Sequence, residues 1–225
     1  MGRKGFMLAV AMASALAGPA TAGARQPLQK IGGLTGAQYH LLFDSGAGAQ
    51  TRAQHLFYCF QAGGHPSFPA PGWLARSLGD MSKRTVWRDP QDGAVTEAEA
   101  WKGIAAAAYG FLQHALERLP ETYGGRQRTD GDFLYLYGAA RDKLALSLRA
   151  LRGARLGGSL GGRGRKVIAE AEGLYAAMEA AAKALEAGRE DAYNKSLVRA
   201  GKATHRICDI VIGPAAAARG GSSDQ

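Results

Sequence analysis

Few side chains in this chain stand at spacings that support catalysis or metal binding. His114 and Glu117 lie three positions apart, close enough to meet on a helix. A di-metal bundle, however, needs Glu-x-x-His on two helices plus two further carboxylates. Here the order is reversed and no second pair answers it, and His205 stands alone. Both histidines read as solvated or rim residues. His-Glu-x-x-His is absent, and the glycine clusters, Gly157-Gly-Ser-Leu-Gly161 among them, do not follow a strand, so there is no nucleophile elbow and zincin, hydrolase, dinucleotide and P-loop readings fail. The two cysteines, Cys59 and Cys208, form no Cys-x-x-Cys, which argues against structural zinc and covalent haem. They leave two readings open. One is a disulfide made in an oxidising compartment, stapling the N-terminal region to the last helix. The other is a pair of separately buried thiols. Tyr137, Tyr175 and Tyr193 fall on apolar helical stripes, with Tyr135 beside them. The expectation is a non-enzyme without catalytic residues, bound cofactor or metal.

The elements that would carry these residues are helices. Thr96-Glu-Ala-Glu99 has the form of a capping box. Behind it Trp101, Ile104, Ala108, Phe111, Leu112, Ala115 and Leu119 recur at three and four, until Pro120 stops the pattern. A second helix opens near Asp130, with Phe133, Tyr137, Ala140, Leu144, Leu148 and Leu151 on one stripe. A third runs from about Lys166 to Ala187, with Gly188 where a C-terminal glycine belongs. A fourth runs from about Glu190 to Ile212, ended by Gly213-Pro214. The expected fold is all-α, an up-down four-helix bundle over 96–213 with a mobile tail at 214–225. Residues 25–95 read as an irregular extension with one or two short helices, because Gly63-Gly-His-Pro-Ser-Phe-Pro-Ala-Pro-Gly72 clusters prolines and glycines.

Composition agrees. The 225 residues are 46% hydrophobic but only 8% aromatic, with 32 glycines, which suits close-packed Ala-rich helices better than a large sheet. Residues 1–24 read as a signal peptide: Arg3 and Lys4, an apolar run from Phe6 to Leu16, then Ala22-Gly-Ala24 as the cleavage site. Arg3-Lys4-Gly-Phe6 is a loose variant of the twin-arginine export pattern. Loss of Arg3 and Lys4 takes the formal charge from +9 to +7. Many remaining cations lie on the second helix (Arg141, Lys143, Arg149, Arg152) and on the glycine-rich stretch after it (Arg155, Arg163, Arg165, Lys166). That stretch superficially resembles an Arg/Gly nucleic-acid tail, but one short loop on an exported chain makes nucleic acid a poor partner.

The last ~120 residues resemble the PsbQ family, lumenal extrinsic subunits of photosystem II. Four pieces in order carry the likeness: Leu116-Glu-Arg-Leu-Pro-Glu121; Asp132-Phe-Leu-Tyr-Leu-Tyr-Gly-Ala-Ala-Arg-Asp-Lys-Leu-Ala-Leu146; Leu174-Tyr-Ala-Ala-Met-Glu-Ala-Ala-Ala-Lys183; and Ala187-Gly-Arg-Glu-Asp-Ala-Tyr193. The resemblance implies a thylakoid-lumen protein, peripheral to the membrane, docked on the photosystem II core beside other extrinsic subunits. Such proteins help retain calcium and chloride for the oxygen-evolving complex and do not ligate its manganese. The extension is longer than in plant and cyanobacterial forms and is closer to red-lineage algal ones. The lipoprotein cysteine of cyanobacterial forms is missing. A plastid transit peptide is expected either to be absent or to lie upstream of Met1. On this reading a basic chain is steered to acidic lumenal surfaces. The cations above would dock it, with Phe57, Phe60, Trp73 and Trp87 as anchors. Removal of 25–95 is expected to weaken association more than folding. The alternatives are a PsbQ-like subunit of the plastid NDH complex, or an exported bacterial four-helix protein of the periplasm that binds a small ligand or haem.

Overall fold

The computed structural model describes residues 30–89, 93–119, 128–154 and 160–214. The expected signal segment 1–24, Arg155 and the tail beyond 214 lie outside them. The described chain is mostly helical. Three shorter helices come first: α1 (Gly36–Phe43), α2 (Ala49–Ala62) and α3 (Gly72–Lys83). Four long ones follow: α4 (Glu97–Glu117), α5 (Asp130–Gly153), α6 (Gly161–Glu186) and α7 (Glu190–Val211). Two small antiparallel hairpins flank α3. β1 (Gly64–His65) pairs with β2 (Phe68–Pro69), and β3 (Thr85–Asp89) with β4 (Gly93–Thr96).

Local chemistry accounts for the helix ends. Thr96 Oγ1 accepts the Glu99 amide at 3.2 Å while the Glu99 carboxylate accepts the Thr96 amide at 2.8 Å. Thr129 and Asp132 repeat this reciprocal cap on α5, and Thr35 and Gln38 on α1. α6 ends where Gly188 turns left-handed, φ +63°. There the Gly188 amide reaches the Leu185 carbonyl and the Arg189 amide reaches that of Ala184, the paired bonds of a glycine-terminated helix.

α4 packs on α5, α5 on α6, α6 on α7, and α4 also meets α7. Small residues set the closest approaches. A Cβ on Gly103 of α4 would strike the Ser147 hydroxyl of α5, and one on Gly201 of α7 would press into Leu42 and Ala49.

The extension departs most from the sequence reading. Within 30–89 there are three helices and a hairpin, with a further strand, β3, paired to β4, rather than one or two short helices in irregular chain. Its apolar residues are core residues. Leu34, Leu42, Ala49, Ala53, Leu56, Cys59, Leu74 and Met81 are all buried in the same cluster as Trp101, Phe111, Leu144, Leu174 and Leu197. α2 packs on both α4 and α7, and α1 on α7. The reason is positional: the prolines sit in the β1–β2 hairpin and at the N-cap of α3, so none interrupts a helix interior. Cross-ties fasten the segment. Arg52 of α2, 5% exposed, donates to Asp209 at 2.5 Å and to the Gly213 carbonyl at 3.0 Å. Asn194 donates to the Gly32 carbonyl, and His205 bonds that of Leu41 at 3.0 Å.

A candidate docking face

Trp73 stands in the first turn of α3, and Trp87 on β3 opposite Val95. Both are half-buried, packed on the core by one side. Each carries an arginine from a long helix. The Arg163 guanidinium of α6 lies 4.8 Å from the Trp73 ring centre, and that of Arg149 of α5 lies 5.8 Å from the Trp87 ring centre. Such stacking contributes about 0.5–1 kcal/mol at exposed sites. It also leaves the N–H edge of the guanidinium open to an acceptor.

A buried carboxylate fixes the support beneath. Glu97, 2% exposed, accepts the Trp101 indole N–H at 3.2 Å and Arg84 Nη1 at 2.8 Å. It thereby locks the α3–β3 junction to the start of α4. Trp101 in turn lies under Gly164 of α6, where an added Cβ would sit 3.5 Å from the ring. This knot was not read from the sequence. The alternation of Glu and Ala before Trp101 marks a helix start but says nothing of Arg84.

The sequence-derived candidates sort unequally. Phe60 is buried and belongs to the core. Phe57 is half-buried and stacks on Tyr109, ring centres 6.0 Å apart. Neither is a free anchor. Arg141 pairs with its neighbour Asp142 at 3.0 Å, and Arg152 with Glu172 of α6 at 2.7 Å. Lys143, Arg149, Arg163, Arg165 and Lys166 are exposed and carry no carboxylate partner among the described residues. Arg155 lies outside those residues. Trp73, Trp87, Arg149, Arg152, Arg163, Arg165 and Lys166 thus gather around the start of α4, the end of α5 and the start of α6.

Cys59 and Cys208 are free thiols, both fully buried. Burial pushes Cys59 up to about 11 and Cys208 up to about 12. Such thiols are poor nucleophiles at neutral pH. His114 bonds Glu117 at 2.9 Å, and Arg128 reaches the same carboxylate. Among the described residues no three His, Cys, Asp or Glu side chains gather as a metal site. No described helix is long and apolar enough to cross a membrane.

Toward the far end of α4, the hydroxyls of Tyr137 and Tyr193 bond each other, both buried, with Phe111 and Phe133 against Tyr137. Burial pushes Tyr193 up to about 12 and Tyr137 well above its ordinary value. Arg118 lies over the Tyr193 ring at 4.7 Å and pairs with Asp130 and Glu190, joining three helix ends. This cluster has its polar atoms turned on one another and reads as a brace.

Comparison with family models, with curated proteins and with solved structures gives no match to the chain.

Proposed function

We propose that this chain is a non-catalytic extrinsic subunit that docks on the lumenal side of photosystem II. There it would stabilise the oxygen-evolving complex and help retain calcium and chloride, as its resemblance to PsbQ implies. It binds no cofactor itself. Its partners are the photosystem II core and other lumenal extrinsic subunits, and its place is the thylakoid lumen, peripheral to the membrane. In this reading α4–α7 form an up-down four-helix bundle, the fold that the resemblance implies.

The observation that carries the proposal is the pair of arginine–tryptophan stacks, Arg163 on Trp73 and Arg149 on Trp87. An arginine held on a ring is ordered before any partner arrives, so less side-chain entropy is lost on docking. Arg165 and Lys166 follow Arg163 in the first turns of α6, exposed and without a carboxylate partner among the described residues. Charges of this kind raise association rates with an acidic surface and are screened by salt.

The test is sedimentation of the mature chain with thylakoid membranes, followed by washes of rising salt. The chain is expected to pellet and to be released by high salt. A variant combining Arg163→Gln, Arg165→Gln and Lys166→Gln is expected to come off at lower salt. A chain that does not pellet, or a variant that elutes with the wild type, would remove the proposal.

A further inference from the structure

A groove of about 480 Å³ runs between α5 and α6 beside the Trp87–Arg149 stack, lined by Ala145, Leu148, Arg149, Arg152, Glu172 and Tyr175. Its volume lies toward the lower end of the ~300–1,000 Å³ typical of ligand clefts, which suits a few side chains rather than a domain. The floor is apolar: Leu148 is buried, and Ala145 and Tyr175 are half-buried. The rim is cationic. Arg152 spends Nε and Nη2 on a single oxygen of Glu172, at 3.0 and 2.7 Å. That pair is solvent-exposed on both sides, and exposed pairs exchange partners at little cost. Arg149 has the Trp87 ring against it and no hydrogen bond or ion pair among the described residues.

We propose that this groove receives a short acidic segment of a partner protein. One carboxylate would meet Arg149 and another Arg152. An aliphatic or aromatic side chain between them would rest on Leu148 and Tyr175. The inference rests on the docking reading above and names the chemistry of the partner. Charge complementarity selects the acidic character, and the apolar floor between two cations selects the side chain between the carboxylates. A protein segment fits better than a bilayer. The groove is concave, and no apolar side chain on its lining projects for insertion. The one large apolar side chain fully exposed among the described residues is Tyr135, toward the other end of α5.

The experiment uses the full chain and two fluorescein-labelled peptides, Asp-Glu-Leu-Phe-Asp-Glu and Asp-Glu-Gly-Gly-Asp-Glu, read by fluorescence anisotropy at low salt. The Leu-Phe peptide is expected to bind saturably and about tenfold more tightly than the Gly-Gly peptide, the gain from burying one apolar side chain in part. Arg149→Gln with Arg152→Gln should weaken it about tenfold or more. Ala145→Trp, which fills the groove and keeps its charge, should weaken it comparably, with circular dichroism confirming that each variant is folded. Lys195→Gln with Lys202→Gln, exposed on α7 and off the groove, should leave it nearly unchanged. Equal binding of the two peptides, wild-type binding by Ala145→Trp, or capture by phosphatidylglycerol-containing vesicles that the groove variants abolish would overturn the proposal. Absence of peptide binding alongside salt-released membrane association would sink the groove and spare the docking reading. Peptide binding without membrane association would keep the groove and remove the host.

Discussion

Leu56→Ala separates two roles for the N-terminal part of the chain. As a draped docking segment, 25–95 would tolerate the change with little effect on folding. In the structure Leu56 is 1% exposed, on the stripe by which α2 meets α4 and α7. Truncation to alanine removes three carbons, about 2 kcal/mol of transfer free energy at ~0.8 kcal/mol per methylene. The cavity left among Ala-rich helices adds to this, for an expected cost of about 2–5 kcal/mol. For a chain of this size each kcal/mol lowers Tm by roughly 2–4 °C, so the fall should be about 4–20 °C. The assay is urea and thermal unfolding followed by circular dichroism at ~222 nm, the helical band. Gln61→Ala, exposed on the same helix, is the control and should stay within about 0.5 kcal/mol of wild type. If Leu56→Ala unfolds like the control, the placement of α2 in the core is wrong. If it falls as expected, deletion of 25–95 becomes a folding experiment. Its effect on membrane association then says nothing about docking, contrary to what the sequence suggested.

Two further outcomes are expected. At pH 8 native Cys59 and Cys208 should resist iodoacetamide, because burial holds both thiols high, and denaturation without reductant should release two reactive thiols. A mass spectrum showing a bridge between them would refute the free-thiol assignment. The caps set an acid limit. Bonds from the Thr96 backbone and hydroxyl hold Glu99 low, and those from Thr129 do the same for Asp132. A carboxylate lowered in the folded state contributes stability above its unfolded pKa and loses it as pH falls through the folded one. Urea midpoints should therefore fall from about pH 4 downward. Thr96→Ala with Thr129→Ala should flatten that fall and cost about 1 kcal/mol per cap at neutral pH. An unchanged acid slope in the double variant would refute this role.

What was legible in the sequence was local. Caps at Thr96 and before Asp130, the glycine at 188, and apolar residues at three and four place α4, α5 and α7 close to their observed ends, because each signal acts within one or two turns. The sequence pattern puts the start of α6 at Lys166, whereas the helix begins at Gly161. Glycines at 161, 162 and 164 count against a helix by roughly 1 kcal/mol each. Packing overrides that, since Gly164 lets α6 close on Trp101. The N-terminal helices escape the sequence pattern for a related reason. They are short, and their partners lie far along the chain, Arg52 with Asp209 at a separation of 157 and Asn194 with Gly32 at 162. No window of sequence holds both halves. The candidate docking residues show the same split. Residue type singled out Trp73, Trp87, Arg149 and Arg163, but could not pair them, nor tell Phe60, which the core consumes, from Trp73, which it leaves half open. The face is therefore composite: α3 and β3 bring the rings, α5 and α6 bring the cations, and the Glu97 knot holds the two sets in register. A perturbation that loosens the N-terminal helices from α4 would take the rings from under their arginines even with every cation still present. Charge alone would then not restore docking, and a break of the knot that leaves every cation of the face in place, such as Glu97→Gln with its lost Arg84 ion pair, acts on the face from within the core.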